Sequence, residues 1–98
     1  MLTIDEIIDI ITYSTEITPL GESQAYLDLA SGRSIEVTNE CDDYGDSFYS
    51  LRLHASSDEF DADGTDIIKT LVTETDDVRD AAFTAQCLAD AYDDDIIG

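Results

Sequence analysis

Positive charge is what this sequence has least of. Its only lysines and arginines are Arg33, Arg52, Lys69 and Arg79, against 24 aspartates and glutamates, and the formal net charge is -20. A field of this sign repels the phosphates of nucleic acids and the head groups of anionic membranes. The composition therefore excludes direct nucleic-acid binding and binding to an anionic membrane, and it favours a basic protein as the partner.

Cysteine and long apolar runs are scarce as well. Cys41 and Cys87 are too few for a disulfide framework, and they lack the C-x-x-C spacing of many metal sites. We interpret Cys41 as a loop thiol and Cys87 as a thiol that faces the core. No apolar run has the length of a membrane span and no signal peptide is recognisable, so we expect a cytoplasmic protein with reduced thiols.

The remaining composition is that of a folded protein. Hydrophobic residues make up 43 % of the 98 residues, which is too many for a chain that stays disordered. The length suits one domain with one modest core. No composition shift or internal repeat divides the chain, so we predict a single acidic domain over residues 1–98.

A helix is predicted at the start of the chain. Residues 3–6 read Thr-Ile-Asp-Glu, which is a capping box in which the side chains of Thr3 and Glu6 each accept a hydrogen bond from the other's backbone N–H. The isoleucines that follow recur at helical spacing and are predicted to form the buried stripe. They are Ile4, Ile7, Ile8 and Ile11.

The middle of the chain changes to the period of two that is typical of strands. Apolar and polar residues alternate over residues 24–29, again over 34–38, and a third time over 48–54. A short turn at residues 31–33 joins the first two runs, and a longer acidic connection at residues 40–46 leads to the third. This pattern predicts three antiparallel strands.

Two further helices are predicted in the last third. The apolar residues between 67 and 72 fit one face of a short helix, and Thr75 is predicted to cap a second helix that begins near Val78. Residues 93–98 are predicted to fray. The fold class is therefore a two-layer α+β domain with a three-stranded antiparallel sheet and the order α-β-β-β-α-α.

One segment has the alternating carboxylates of a cation-binding loop. Residues 59–64 resemble the first half of an EF-hand calcium loop, with a glycine at the sixth place. However, position one is Glu59, where aspartate is usual, and position twelve is Thr70, where the loop needs a glutamate. Alternating acids before a helix are also ordinary loop chemistry, so we predict no metal and no cofactor, and calcium binding by this loop stays open as an alternative.

Catalysis has little support in the sequence. With 24 carboxylates, pairs at the spacing of a glycosidase site arise by chance, and there is no glycine-rich phosphate loop. We interpret His54, the single histidine, as a surface residue paired with a carboxylate. We therefore expect that the protein is not an enzyme.

The carboxylates form clusters, and most of them follow Glu40. A dense carboxylate surface can imitate the phosphate backbone of DNA, while neighbouring aromatic rings can anchor a partner. A further cluster lies at residues 90–95, and Tyr26 is a further aromatic candidate. The predicted partner-binding residues are Asp42, Asp43, Asp46, Asp58, Glu59, Asp61, Asp63, Asp66, Asp76, Asp77, Asp80, Tyr44, Phe48 and Phe60.

In size, charge and element order the chain resembles the small acidic inhibitors carried by phages and mobile elements, especially anti-CRISPR and anti-restriction proteins that mimic DNA. In one anti-CRISPR family a helix, three strands and two helices follow in this order, and the first helix is similar in pattern to residues 4–10. The resemblance implies a stoichiometric inhibitor in the cytoplasm of a bacterial host cell. It would occupy the DNA-binding surface of a CRISPR effector or another nuclease.

Two alternatives remain open. The chain could be an acidic adaptor or an antitoxin-like partner that neutralises a basic protein without imitating DNA. It could also be an ordinary domain of a halophile, in which acidic residues retain water in concentrated salt. The eleven isoleucines and three valines are not the usage expected of a salt-loving archaeon with a GC-rich genome.

Overall fold

The computed structural model of this chain describes residues 2–14, 24–55 and 67–98. The predicted fold class, an α+β domain with an antiparallel sheet, is confirmed, but within these residues the sheet has four strands and the helices number two. The elements in chain order are α1 (Ile4–Ser14), β1 (Gln24–Asp28), β2 (Ser34–Cys41), β3 (Ser47–His54), β4 (Ile67–Val72) and α2 (Val78–Asp90).

The sheet has the strand order β1-β2-β3-β4, and all neighbouring strands are antiparallel. Alternation of side chains gives it an inner face that is apolar and an outer face that is mostly polar. In the register of the two central strands, Ile35 lies opposite Leu53 and Val37 opposite Leu51. All four are fully buried. The three strands predicted from the period of two are therefore confirmed.

The two helices supply the other half of the core. The predicted capping box of α1 is present, with the Thr3 N–H 3.0 Å from Glu6 Oε1 and the Glu6 N–H 3.2 Å from Thr3 Oγ1. Ile7 and Ile11 of this helix are fully buried. The helix packs against β1 and α2, and α2 packs against β3. No described helix has both the length and the apolarity to cross a membrane.

The start of α2 differs from the prediction. Asp77 is its N-cap, because its side chain accepts a hydrogen bond of 2.9 Å from the Arg79 N–H. Thr75 lies two residues earlier, and its hydroxyl donates to the Asp80 carboxylate instead. The prediction of Thr75 as the cap is therefore wrong. The buried face of α2 is made mainly of alanines, which are Ala81, Ala82, Ala85 and Ala89 beside Leu88.

The helix predicted at residues 67–72 is wrong, because this segment forms β4. Two features favour the strand. The segment is too short for a stable helix, and its isoleucines, threonine and valine are β-branched residues that pack well on a pleated surface. Pairing with β3 places Leu71 opposite Leu51, which leaves Leu71 half-buried against the core.

The prediction that residues 93–98 fray is also wrong. Ile96 is fully buried, forms a bridge with Leu29, and accepts a hydrogen bond of 2.8 Å from the Leu2 N–H. The Ile97 N–H donates to the Asp28 carbonyl at 2.8 Å, and the Asp28 N–H donates to the Gly98 carbonyl at 3.2 Å. The last residues therefore run along the outer edge of β1 and complete the core.

Two side-chain predictions need correction. Cys87 is exposed, since the buried face of α2 is occupied by its alanines and Leu88, whereas Cys41 is exposed as predicted although it ends β2. His54 does pair with a carboxylate, with Nε2 at 3.3 Å from Glu36 Oε1, but it is 5 % exposed and not a surface residue. It lies on a central strand between Ser34 and Ile67, which explains its burial.

Candidate partner-binding surface

Two of the predicted acidic clusters lie beside each other at one end of the molecule. One is the turn between β2 and β3 at residues 42–46, and the other is the connection between β4 and α2 at residues 73–77. They enclose an open groove of about 550 Å³, which we call the turn groove. It is lined by Asp42, Asp46, Ser47, Phe48, Val72, Thr73, Glu74, Thr75 and Asp76.

A second open groove of about 410 Å³ lies on the other side of residues 72–75, between them and α2. We call it the helix groove. Like the turn groove, it combines carboxylates with a phenyl ring, and no lysine or arginine lines either of them. Its lining residues are Val72, Thr73, Glu74, Thr75, Asp80, Phe83, Thr84 and Cys87.

The turn at residues 42–46 is shaped by one of its own carboxylates. Asp42 Oδ1 accepts hydrogen bonds of 2.9 Å from the backbone N–H groups of Tyr44 and Asp46, which is the local chemistry that favours aspartate in turns. Gly45 has a φ of +84°, a conformation that glycine adopts without strain. The result is a fixed loop that presents Tyr44, which is 92 % exposed, and Asp46.

The connection at residues 73–77 is anchored through Thr73, which is buried. Its N–H donates to the Tyr49 carbonyl at 2.9 Å, and its Oγ1 accepts from the Tyr49 N–H at 2.9 Å and donates to the Thr75 carbonyl at 2.8 Å. These bonds fix the backbone on either side of Glu74. The side chains of Glu74 and Asp76 are exposed and have no hydrogen-bond partner within the described ranges.

The lysine and arginine side chains of the protein do not neutralise the carboxylates of these grooves. Arg33 Nη1 lies 3.7 Å from Asp94 Oδ2, and Arg52 Nη1 lies 3.7 Å from Glu36 Oε1, so two of the four cations are paired with carboxylates elsewhere. Across residues 2–14, 24–55 and 67–98, Lys69 and Arg79 form no ion pair. In the same part of the chain no cluster of histidine, cysteine, aspartate and glutamate side chains could hold a metal ion.

The structure brings together part of the predicted site. Asp42, Asp46, Phe48 and Asp76 line the turn groove, and Asp80 lines the helix groove. Asp43 and Tyr44 are exposed on the turn beside them, whereas Asp77 caps α2. Outside the described residues lie Asp58, Glu59, Phe60, Asp61, Asp63 and Asp66, together with the calcium-loop resemblance at residues 59–64.

The groove residues that were not predicted as site residues include one carboxylate and two exposed apolar side chains. Glu74 lines both grooves, Val72 is 61 % exposed between them, and Phe83 is 54 % exposed in the helix groove. The acidic run that contains Asp76 could have indicated Glu74. No local signal indicated Val72 and Phe83, because the sequence pattern places both on apolar helix faces.

Tyr26 lies away from the grooves, on the outer face of the sheet. It is 45 % exposed, and its hydroxyl lies 3.5 Å from Glu36 Oε2. Burial raises the pKa of Tyr26, and the charge of Glu36 and the hydrogen bond to it raise it further. The hydroxyl is thus part of an internal pair, and Tyr26 is a weaker anchor candidate than Tyr44.

The acidic cluster at residues 90–95 contains a carboxylate of a different kind. Asp94 is buried and accepts hydrogen bonds from the Ser31 N–H at 3.1 Å, the Ser31 hydroxyl and the Asp95 N–H at 3.0 Å. Burial alone would raise the pKa of Asp94, but these donors and Arg33 outweigh it and lower the pKa. This carboxylate therefore holds the turn between β1 and β2.

Comparison with known proteins adds no relative. No protein-family model, no curated protein and no solved structure matches the chain. The geometry and charge of the two grooves are therefore the basis of the functional proposal.

Proposed function

We propose that this protein is a stoichiometric inhibitor that binds the DNA-binding surface of a basic protein and excludes the DNA. The observation that carries the proposal is the meeting of two acidic clusters, at residues 42–46 and 73–77, beside grooves that no lysine or arginine lines. Arginines and lysines that normally contact phosphates would meet carboxylates there.

The same surface offers the uncharged anchors that a tight complex needs. Charges at the rim of an interface mainly set the rate of encounter, whereas a few buried aromatic or apolar groups hold the complex together. Tyr44 and Phe83 are exposed, and Val72 lies between the two grooves. In the proposed complex these side chains are buried at the centre and the carboxylates surround them.

The resemblance to anti-CRISPR and anti-restriction proteins in size and charge suggests an effector nuclease as the partner. Such nucleases hold DNA in a positively charged channel, which an acidic protein of this size could enter. The proposed action is binding in a fixed ratio, without catalysis.

The direct test is displacement of DNA. Labelled duplex DNA is bound to each of a panel of CRISPR effector nucleases and restriction enzymes, the protein is titrated in, and fluorescence anisotropy follows release of the DNA. We expect release that is complete at one equivalent for the true target and that weakens as salt rises. If no member of the panel and no DNA-binding protein of the host releases DNA, the inhibitor proposal is wrong.

Two triple variants with the same net charge show whether binding to the target depends on the grooves or only on the overall negative charge. One reverses the grooves with Asp46→Lys, Glu74→Lys and Asp76→Lys, and the matched control reverses exposed acids elsewhere. We expect the groove variant to bind the target at least about tenfold more weakly than the control. Equal affinities would show that the grooves have no special role. The control substitutions are Asp9→Lys, Asp90→Lys and Asp95→Lys.

Two measurements distinguish the inhibitor from an acidic adaptor and from an ordinary domain of a halophile. An acidic adaptor would bind its basic partner without releasing the DNA, so a ternary complex would appear in the anisotropy titration. A halophile's domain would need molar salt to fold, which circular dichroism across a salt titration detects.

A further inference from the structure

The two edge strands of the sheet, β1 and β4, differ in whether another described segment pairs with their outer edge. Along the outer edge of β1, the Ile97 N–H and the Gly98 carbonyl both bond to the backbone of Asp28, so the end of the chain covers this edge. Within the described residues no strand pairs with the outer edge of β4. An uncovered edge can accept a strand from another protein.

The available part of this edge is the second half of β4. The register shift between Leu53 and His54 disturbs the first half, and the regular pairing runs from residue 69 to residue 72. Because the Thr73 N–H donates to Tyr49 in β3, the alternation of antiparallel strands turns the N–H and C=O groups of Thr70 and Val72 outward. No carboxylate lies in β4, so strand addition there buries none.

The grooves lie on opposite sides of this edge. Val72 shares the outer face of the sheet with Ser50, toward the turn groove, whereas α2 and the helix groove lie on the inner side. Successive residues of a strand point to opposite faces. A strand added beside Val72 would therefore direct one side chain into the turn groove and the next into the helix groove.

Each groove has the chemistry of an arginine site. Asp46, Asp76 and Phe48 line the turn groove, and Asp80 and Phe83 line the helix groove. A guanidinium can bond carboxylates in a fork and stack on an aromatic ring at the same time. A second copy of this chain is disfavoured as the occupant, because both copies carry the same large negative charge.

We propose that the outer edge of β4 binds an extended segment of the basic partner by strand addition, and that two consecutive arginines of this segment occupy the turn groove and the helix groove. This inference rests on the proposed function, because it names how the partner of that surface is held. Backbone pairing at Thr70 and Val72 fixes the register of the segment, and the grooves select its charge.

Three synthetic peptides of equal charge test the proposal. The first is acetyl-Thr-Val-Thr-Arg-Arg-Thr-Val-amide. The second is the same peptide with alternate backbone nitrogens methylated on the side that pairs with β4, and it is made in one form for each of the two possible registers. The third, acetyl-Thr-Val-Arg-Thr-Arg-Thr-Val-amide, separates the two arginines by one residue. We expect the first to bind about tenfold more tightly than either control, since each control loses either hydrogen bonds or one groove.

Hydrogen exchange measured by NMR identifies the contact. The amide protons of Thr70 and Val72 should exchange more slowly when the first peptide is at saturation, and the second peptide should leave them unchanged. Failure of the first peptide to bind, or equal affinity of the first two, overturns strand addition. Equal affinity of the first and third peptides overturns the placement of one arginine in each groove.

A variant pair tests the edge without changing the peptide. Val72→Pro removes the outward N–H and leaves the bonds to β3 in place, whereas Val72→Thr keeps the N–H and a similar shape. The proline variant should bind the first peptide about tenfold more weakly than the threonine variant, because the two differ in the outward N–H. Equal affinity of the two variants contradicts the inference, and urea unfolding checks that both are folded.

The outcomes also separate this inference from the inhibitor proposal. If the protein releases DNA from a nuclease but does not bind the first peptide, strand addition is wrong and the inhibitor proposal stands. If the first peptide binds as expected and no nuclease releases DNA, the edge site stands and the inhibitor proposal is wrong.

Discussion

The two ends of the molecule are both acidic, yet their carboxylates act differently. At the closed end, made of residues 29–33 and 93–98, Asp94 accepts hydrogen bonds from Ser31 and Asp95 and forms an ion pair with Arg33. At the open end, made of residues 42–46 and 73–77, Glu74 and Asp76 have no such donors in the described part of the chain. The number of donors around a carboxylate, more than its place in an acidic run, decides whether it stabilises the fold.

The largest effect should come from the apolar residue that fills the closed end. Ile96→Ala leaves a cavity in the core and should lower the free energy of unfolding by about 3 kcal/mol, measured by urea denaturation. Ile97→Ala is the matched control, since Ile97 is 53 % exposed and should change stability by less than about 0.5 kcal/mol. A similar loss of stability in both variants would mean that the burial of Ile96 does not fix residues 93–98 to the core.

The next effect concerns the buried carboxylate. Asp94→Asn should cost about 2 kcal/mol at neutral pH, because hydrogen bonds to a charged group are lost or weakened. Since the folded state lowers the pKa of Asp94, this contribution is present above the unfolded pKa of about 4 and disappears as the pH falls through the folded pKa.

The difference in stability between the original protein and Asp94→Asn should therefore shrink from about pH 4 downward. Urea denaturation at a series of pH values measures it, and Asp95→Asn serves as the exposed control. A difference that stays constant across this range would contradict the structural role of the Asp94 charge.

A smaller effect is expected from Asp42, a structural carboxylate of the open end. Asp42→Ala removes the acceptor of two backbone hydrogen bonds and should cost about 1 kcal/mol. Asp43→Ala, one residue later and exposed, should stay within about 0.5 kcal/mol. If thermal unfolding shows no difference between the two, the turn does not depend on Asp42.

The smallest effect should have the opposite sign. Neutralising the groove with Glu74→Gln and Asp76→Asn removes repulsion and should leave stability unchanged or raise it by up to about 0.5 kcal/mol. Added sodium chloride should reduce any gain, because salt screens exposed charges. A loss above about 1 kcal/mol would show that these carboxylates have structural partners and would remove the contrast between the two ends.

The sequence predicts elements whose signals are local. The capping box at Thr3 and Glu6 and the alternation in three strands depend on neighbouring residues, and the structure confirms them. β4 and the tail depend on distant partners. The apolar residues of 67–72 fit a helix face as well as a strand, and only the pairing with β3 decides for the strand. Ile96 follows a run of aspartates, so the sequence suggests that it is exposed, and its burial depends on the bridge with Leu29.

The candidate site was predictable to a similar extent. Acidic runs and adjacent aromatics identify Asp46, Asp76 and Phe48 from the sequence, and the structure places them in one groove. Val72 and Phe83 could not be found in this way, because their exposure follows from the pairing of β4 with β3 and from the face that α2 buries.

The hydrogen bond between Leu2 and Ile96 joins positions that lie almost the whole sequence apart. Closing so long a loop costs more conformational entropy than forming a hairpin, and contacts of this range slow folding. We expect the hairpin of β2 and β3, with the turn at residues 42–46, to form early and the closed end to form last. During synthesis the core would thus stay incomplete until Ile96 has left the ribosome, while the acidic turn is already in place.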